Sequence, residues 1–321
     1  MLEKRNVIYL NIIFILIVLL IICIYLIFSK TKNIVDKGEY GNLREIEFEY
    51  NSKEEYFSYY ETILQNYEKS KFDSNGILMT EYDEEYVYDI KSISYYGLML
   101  FSKYISENEI NYYEMAKKQA NYLVSIQNND NGGFYNNYNF TVEGTTYEMD
   151  VPWISSTSQS MAISLLSRIY SISNEQKYKD ACELANICFK NEVQNGGLHT
   201  KIFEHDFFEE YPTDLSNYSL SGLMYTIIGM YDEYQVFGNI EAKEIYELGI
   251  TTLEYIIPLY DSNGVSLQNL AFINNEELKK SYKEKYNREH IYQLITINQI
   301  SSKEIFNYYI DKWSKLYNKN V

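Results

Sequence analysis

Apolar side chains recur every three to four residues along most of this 321-residue chain, the period of a helix that buries one face. The pattern predicts paired helices at about 91–105 and 110–127, 156–171 and 176–192, 217–236 and 241–257, and 287–299 and 302–317. A further helical stretch is predicted from Ser52 to about Lys71. In the 217–236 segment, Leu220, Leu223, Ile227 and Met230 fall on one stripe. Turn signals break the pattern at Asp73-Ser74-Asn75-Gly76, Asn131-Gly132-Gly133, Asn195-Gly196-Gly197 and Asn263-Gly264. They recur every ~55–70 residues, the mark of a repeat built from helix pairs. The short segments after them (Ile77-Leu78-Met79, Phe134-Tyr135, Leu198-His199-Thr200) read as short strands or loops at one rim. The expected fold is therefore all-α: an α/α-barrel, or toroid, of about four helix pairs with short rim strands. A solenoid of helix pairs fits the same periodicity.

Residues 7–28 break the period. They are an almost unbroken apolar run without a charge, long enough to cross a bilayer core of roughly 30 Å. A cleavable signal peptide has a shorter apolar run of about 7–15 residues, so the stretch reads as a transmembrane signal-anchor. The organisation expected is a flank at 1–6, the anchor at 7–28, a polar linker at 29–50 and a barrel domain at 51–321. Basic residues stand on both sides of the run (Lys4 and Arg5; Lys30, Lys32 and Lys37), so charge does not fix its orientation. A short anchor before a large domain gives a single-pass membrane protein with that domain outside the cytoplasm.

The net charge of −17 argues against nucleic acid as a partner. A polyanionic substrate would need a local basic patch to overcome that field. Cys23, Cys182 and Cys188 form no disulfide framework, and His199, His205 and His290 are scattered, without metal-ligand spacing. No nucleotide or flavin motif is present, so no cofactor is expected. The 36 tyrosines offer flat apolar faces with a hydroxyl, which suits sugar binding.

The candidate chemistry centres on Phe207-Phe208-Glu209-Glu210-Tyr211-Pro212-Thr213. Pro212 pushes Tyr211 out of helical geometry, giving a loop or short strand, with the next helix predicted near Ser216. A carboxylate among aromatic rings is desolvated, which raises its pKa and equips it to exchange protons near neutral pH. An acidic surface turn before a helix start has the same composition. Three other stretches stand out: Pro152-Trp153-Ile154-Ser155-Ser156-Thr157-Ser158-Gln159; Tyr88-Asp89 leading into Tyr95-Tyr96-Gly97-Leu98; and Tyr286-Asn287-Arg288-Glu289-His290-Ile291-Tyr292-Gln293-Leu294. Tyr286, His290 and Gln293 share one helical face.

Together these resemble the C-terminal domain of the D-glucuronyl C5-epimerases, which invert C5 of glucuronic acid in heparosan-type polysaccharides. PWISSTSQSMAISLLSRIY resembles that family's Trp-x-Ser-x-x-x-Gln helix. FFEEYPT resembles its Glu-Glu-Tyr-Pro-Thr loop, LSGLMYTIIGMYD its Leu-Asn-Gly helix, and YNREHIYQL its Tyr-x-x-x-His-Ile-x-Gln-Leu helix. The resemblance covers roughly residues 85–317 and implies an α/α-barrel. It also implies a reaction in which a proton α to a carboxylate leaves C5 and another arrives from the opposite face, so two acid–base groups must flank the ring. Carried over by motif, that pair is Glu210 and Tyr286, with Tyr211 beside them. Gln159, Arg168, His290, Gln293, Trp153, Tyr96 and Arg288 are the candidate substrate-binding residues.

The chain departs from the family pattern in three places. Ser221 stands for the Asn of Leu-Asn-Gly, Ser160 follows Gln159 in place of Gly, and Val265-Ser266-Leu267 occupies the place of a second tyrosine. The implied partners are a uronic-acid-containing polysaccharide and, through the N-terminal helix, a membrane; a homodimer is compatible with the sequence. A glycoside hydrolase or polysaccharide lyase on the same barrel, and a non-catalytic glycan-binding protein, are the alternative readings.

Overall fold

Three of the inner helices start and stop on signals of their own. Asp89, Ser155 and Ser219 cap α1 (Ile90–Glu107), α3 (Ser156–Ser173) and α5 (Leu220–Phe237). Their side chains accept the backbone N–H of Ser92, Ser158 and Gly222, groups that have no partner inside the helix. The same helices end where Asn108, Asn174 and Gly238 turn into the left-handed region at φ 56°, 53° and 69°, residue types that tolerate it. The chain then enters α2 (Ile110–Ile126), α4 (Gln176–Lys190) or α6 (Ile240–Ile256) within two residues. The fourth pair is α7 (Arg288–Ser301) and α8 (Glu304–Asn320), joined through Ser302 at φ 53°. The computed structural model describes residues 49–57, 64, 67, 70–142, 147–274 and 288–320.

Helices α1, α3, α5 and α7 pack against one another in chain order, and α2, α4, α6 and α8 each lie against their own partner. Burial distinguishes the two layers. Every residue of α3 from Ser156 to Ile169 is buried, whereas α4 buries only one face, including Tyr178, Ala181, Cys182, Ala185 and Phe189. A helix buried all round belongs inside, and one with a single apolar stripe belongs outside. The inner contact is close: a Cβ on Gly229 of α5 would lie 2.6 Å from the backbone oxygen of Ser160 on α3. These are the helix pairs that the periodicity predicts.

Short antiparallel strands link the pairs along one rim. β1 (Lys71–Phe72), β2 (Leu78–Tyr82) and β3 (Glu85–Val87) form a three-stranded sheet before α1. The hairpins β4 (Phe140–Thr141) with β5 (Glu148–Met149), β6 (His199–Ile202) with β7 (His205–Phe208), and β8 (Asp261–Ser262) with β9 (Val265–Ser266) stand in the later connections. Phe134-Tyr135 is not a strand; the bridge falls next to it, between Asn136 and Trp153.

The opposite end of the inner helices is sealed by residues 50–57. The Tyr50 N–H donates to Gln299 Oε1 of α7 at 2.7 Å, and its hydroxyl donates to Asp232 of α5. The Tyr56 N–H donates to Ser102 Oγ of α1 at 2.8 Å, and Arg168 Nε of α3 donates to the Glu54 carbonyl at 3.1 Å. One short segment thus ties all four inner helices together. It is irregular, and helix does not begin at Ser52 as the pattern predicts: the Tyr50 and Tyr56 N–H groups and the Glu54 carbonyl bond side chains of the inner helices. Tyr50–Asn320 form one compact unit. Among the described residues no helix is long and apolar enough to cross a membrane; the run 7–28 lies outside them.

Candidate active site

Glu209 and Glu210 are chain neighbours with different surroundings. The strand β7 delivers them to the rim, where the Glu209 N–H bonds the Leu198 carbonyl and the Glu209 carbonyl accepts from Ser156, at the start of α3. The Glu209 side chain is fully buried and accepts the backbone N–H of Tyr218 at 3.1 Å. Burial pushes its carboxyl up to about 8, against the hydrogen bonds it accepts. Glu210 points the other way. The hydroxyl of Ser219, the cap of α5, donates to Glu210 Oε2 while accepting the N–H of Gly222. The carboxylate is thereby held at a helix N-terminus, where negative charge is favoured. Gly222 makes room for it, since a Cβ there would lie 2.6 Å from the Glu210 Cβ. The helix after this loop starts at Leu220, not near Ser216: Tyr218 takes a φ of 54°, and the first capping side chain is Ser219.

Lys91, the second residue of α1, faces Glu210 with its ammonium 3.8 Å from Oε1. Partial loss of water in the rim pulls that ammonium down, and the charges of Glu210 first, then Glu289 and Asp89, outweigh this and hold it above its ordinary value, with 43% of the side chain still exposed. Asp89 accepts the Tyr138 hydroxyl at 2.8 Å while capping α1, and Glu289 accepts the Tyr225 hydroxyl. Tyr67 brings another phenol to these charges; burial, then Asp89, raises it to about 12. Tyr211 is half-buried, and desolvation followed by the charge of Glu210 pushes its hydroxyl well up, so it remains protonated.

An aromatic wall stands beside this centre. Phe140 stacks on Trp153 with ring centres 5.3 Å apart and on Tyr211 at 5.3 Å, and Tyr138 meets Trp153 edge-on. The Trp153 indole N–H donates to the Tyr138 carbonyl at 2.8 Å, which fixes the ring. Behind the wall lies a cavity of about 660 Å³ whose lining includes Trp153, Pro212 and the carboxylates Glu148, Asp150 and Asp214.

Of the residues singled out in the sequence, Glu210, Tyr211 and Trp153 come together here. Tyr96 is buried one layer behind, against Tyr67 and Phe72. His290 and Gln293 are fully buried between α5 and α7. His290 Nδ1 meets Ser266 Oγ at 2.8 Å and its Nε2 meets Ser221 Oγ at 3.0 Å; Gln293 also bonds Ser221. Two of the three serines that depart from the family pattern, Ser221 and Ser266, thus sit on the same imidazole, which burial lowers to about 3 and keeps neutral. Gln159 holds the backbone N–H and carbonyl of Phe134 with both ends of its amide. Arg168 is fully buried at the sealed end, paired with Asp232 at 2.6 Å, far along α3 from the rim. Arg288 opens α7 and lies over the Tyr292 ring. Tyr286 lies outside the described residues. Among those residues no cluster of His, Cys, Asp or Glu could hold a metal ion, and Cys182 and Cys188 are free and buried.

Sequence reasoning missed Lys91. The available signal was a lysine in the first turn of a helix, where the macrodipole favours acidic residues. It also missed Tyr67 and Tyr138 as phenols at the site.

The buried groups predict how stability depends on pH. Glu209, and Glu233 held between Asn186 and Asn239, are raised from 4.5 to about 8 and about 7, so folding takes up protons and stability is lost as pH rises through those values. His290 is lowered from 6.5 to about 3, so stability is also lost as pH falls from 6.5 toward 3. The urea midpoint should peak near pH ~5 and decline toward pH ~8. Glu209→Gln should flatten the decline above neutrality. An unchanged slope would show that the Glu209 proton does not contribute.

The chain is a mostly helical fold of the α/α-barrel class, with carboxylates, phenols and a lysine gathered at the rim where its inner helices begin. The chain matches the model of the family described as D-glucuronyl C5-epimerase C-terminus over residues 127–315, and it belongs to that family. It is 26% identical over 234 residues to a D-glucuronyl C5-epimerase of Caenorhabditis elegans, covering 69% of this chain and 38% of that protein. It is 24% identical over 221 residues to an uncharacterized protein of Methanocaldococcus jannaschii, covering 68% and 65%. The chain thus spans less than two thirds of either relative. In fold it is similar to a D-mannose isomerase (TM-score 0.54, 13% identity, 81% of this chain and 71% of that one). It is also similar to a GH76 alpha-mannanase of Bacteroides thetaiotaomicron (TM-score 0.51, 14% identity, 80% and 65%).

Proposed function

We propose that this protein is a uronyl C5-epimerase acting on a polysaccharide. Glu210 is the group that removes the C5 proton from one face of the ring and can return it there. The observation that carries the reading is the setting of Glu210: a carboxylate fixed by Ser219 at the start of α5, beside a protonated phenol and a cation, in a chain whose family is that of the C5-epimerases. The partner on the opposite face is Tyr286, by the motif it opens. The half-buried Tyr211, backed by Phe140 and Trp153, supplies an aromatic surface for a sugar ring, and the inner-helix N-termini favour an anionic substrate at this rim despite the net charge of −17.

The chemistry separates this reading from the alternatives. An epimerase run in deuterated water incorporates deuterium at C5 and leaves the chain whole. A lyase leaves an unsaturated end, a hydrolase shortens the polymer, and a binding protein does none of these. Hydrolysis would need two carboxyls roughly 5–10 Å apart across the bond, a role open to Glu210 with Asp89 or Glu289. Heparosan incubated with the protein and followed by NMR distinguishes the four outcomes.

The reading includes a membrane anchor at residues 7–28. A chain lacking residues 1–32 is expected to be soluble and strongly helical by circular dichroism. If that chain still partitions into detergent, the apolar run is not what holds the protein to membranes.

A further inference from the structure

Lys91 has donors to spare. An ammonium carries three N–H groups, yet among the described residues Lys91 makes one ionic contact, to Glu210, and that contact at 3.8 Å is longer than the 2.7–2.9 Å or so of a charge-assisted hydrogen bond. Its side chain is 43% exposed, so a ligand can reach it. Its place in the first turn of α1 works against the helix dipole, so the helix gains nothing from the charge. Arg168 shows what a structural cation looks like in this fold: fully buried, with Nε, Nη1 and Nη2 donating to Glu54, Ser164, Asp232 and Tyr50.

We propose that Lys91 is a catalytic residue: it binds the uronate carboxylate and stabilises the charge that develops there when Glu210 takes the C5 proton. The inference rests on the epimerase reading. A base that removes the C5 proton must come within about 3–3.5 Å of C5, and the uronate carboxyl carbon is bonded directly to C5. A cation 3.8 Å from the base therefore lies within reach of that carboxylate. In the step, the C5–H bond breaks, its proton goes to Glu210, and its electron pair moves into a C5–C6 double bond. The substrate carboxylate becomes an enediolate with one more negative charge, while Glu210 becomes neutral. The ammonium loses its reason to pair with Glu210 as the charge beside C6 grows. The flexible lysine stem lets it follow. The return of a proton to C5 from the opposite face restores the carboxylate and completes inversion.

The test compares the full chain with Lys91→Met, Lys91→Gln and Lys91→Arg in C5 deuterium exchange on heparosan and on its uronate methyl ester, across pH. Lys91→Met and Lys91→Gln should lower kcat on heparosan about 10²-fold, the cost of removing one donor to a developing oxyanion. Lys91→Arg should recover part of the loss. The wild type should prefer the acid to the ester, and both neutral variants should lose that preference. If Lys91 only steadies Glu210, acid and ester slow equally and the acidic limb of the pH profile moves; that result overturns the proposal. Unchanged kcat and KM overturn it too. Wild-type chain that exchanges heparosan while Lys91→Met matches it leaves the epimerase reading intact and removes Lys91 alone. No exchange by the wild type removes both.

Discussion

Replacing Glu210 with Gln is expected to lower C5 exchange by a factor on the order of 10²–10⁴, the range for loss of a positioned acid–base group. The amide keeps the shape of the side chain and can still accept the Ser219 hydroxyl, so α5 should keep its cap and the fold its stability. What disappears is the ability to take and return a proton. Glu209→Gln is the internal control. Glu209 is fully buried behind the rim and bonds the Tyr218 backbone, so its loss should register mainly in stability and its pH dependence. The measurement is the rate of deuterium incorporation with each variant under identical conditions. Equal rates for Glu210→Gln and wild type would transfer the base role elsewhere.

Replacing Asp232 with Ala should produce the largest loss of stability of any single change at the sealed end. The Arg168–Asp232 pair has both side chains at 0% exposure, and Tyr50 donates to the same carboxylate. Removing the carboxylate leaves a guanidinium buried without a counter-charge, which costs about 3–5 kcal/mol. It also frees the segment that joins the four inner helices. Urea denaturation measures the effect, and a double-mutant cycle with Arg168→Met isolates the pair: the double variant should recover much of the loss, because two apolar groups have no charge to leave stranded. A loss below about 1 kcal/mol would mean that water reaches the guanidinium and the seal is loose.

The sequence made the helix pairs legible because each carries its own signals. Capping side chains, left-handed Asn or Gly at the ends, and Asn-Gly turns act over a few residues, and the helices begin and end within a few residues of where the period puts them. Glu210, Tyr211 and Trp153 were legible as a group because a single loop and its neighbour carry them. The surroundings of the other residues depend on direction, which a one-dimensional pattern does not contain. Arg168 lies in the same motif as Gln159, but further along α3, and its partner Asp232 is 64 residues away in the chain. Gln159 looks like a polar residue available to a ligand, yet the neighbouring connection brings Phe134 to both ends of its amide. His290 follows the same rule, with Ser221 and Ser266 arriving from two other elements. The stretch from Ser52 to about Lys71 reads as helix, but at its start the Tyr56 N–H and the Glu54 carbonyl bond side chains of α1 and α3.

The most direct test of the central claim is proton NMR of heparosan incubated with the protein in deuterated water. The C5 proton signal of the uronate residues should fade as deuterium enters, without new chain ends, and should persist with Glu210→Gln. A polymer that keeps every C5 proton, or that gains an unsaturated or reducing end, would contradict it.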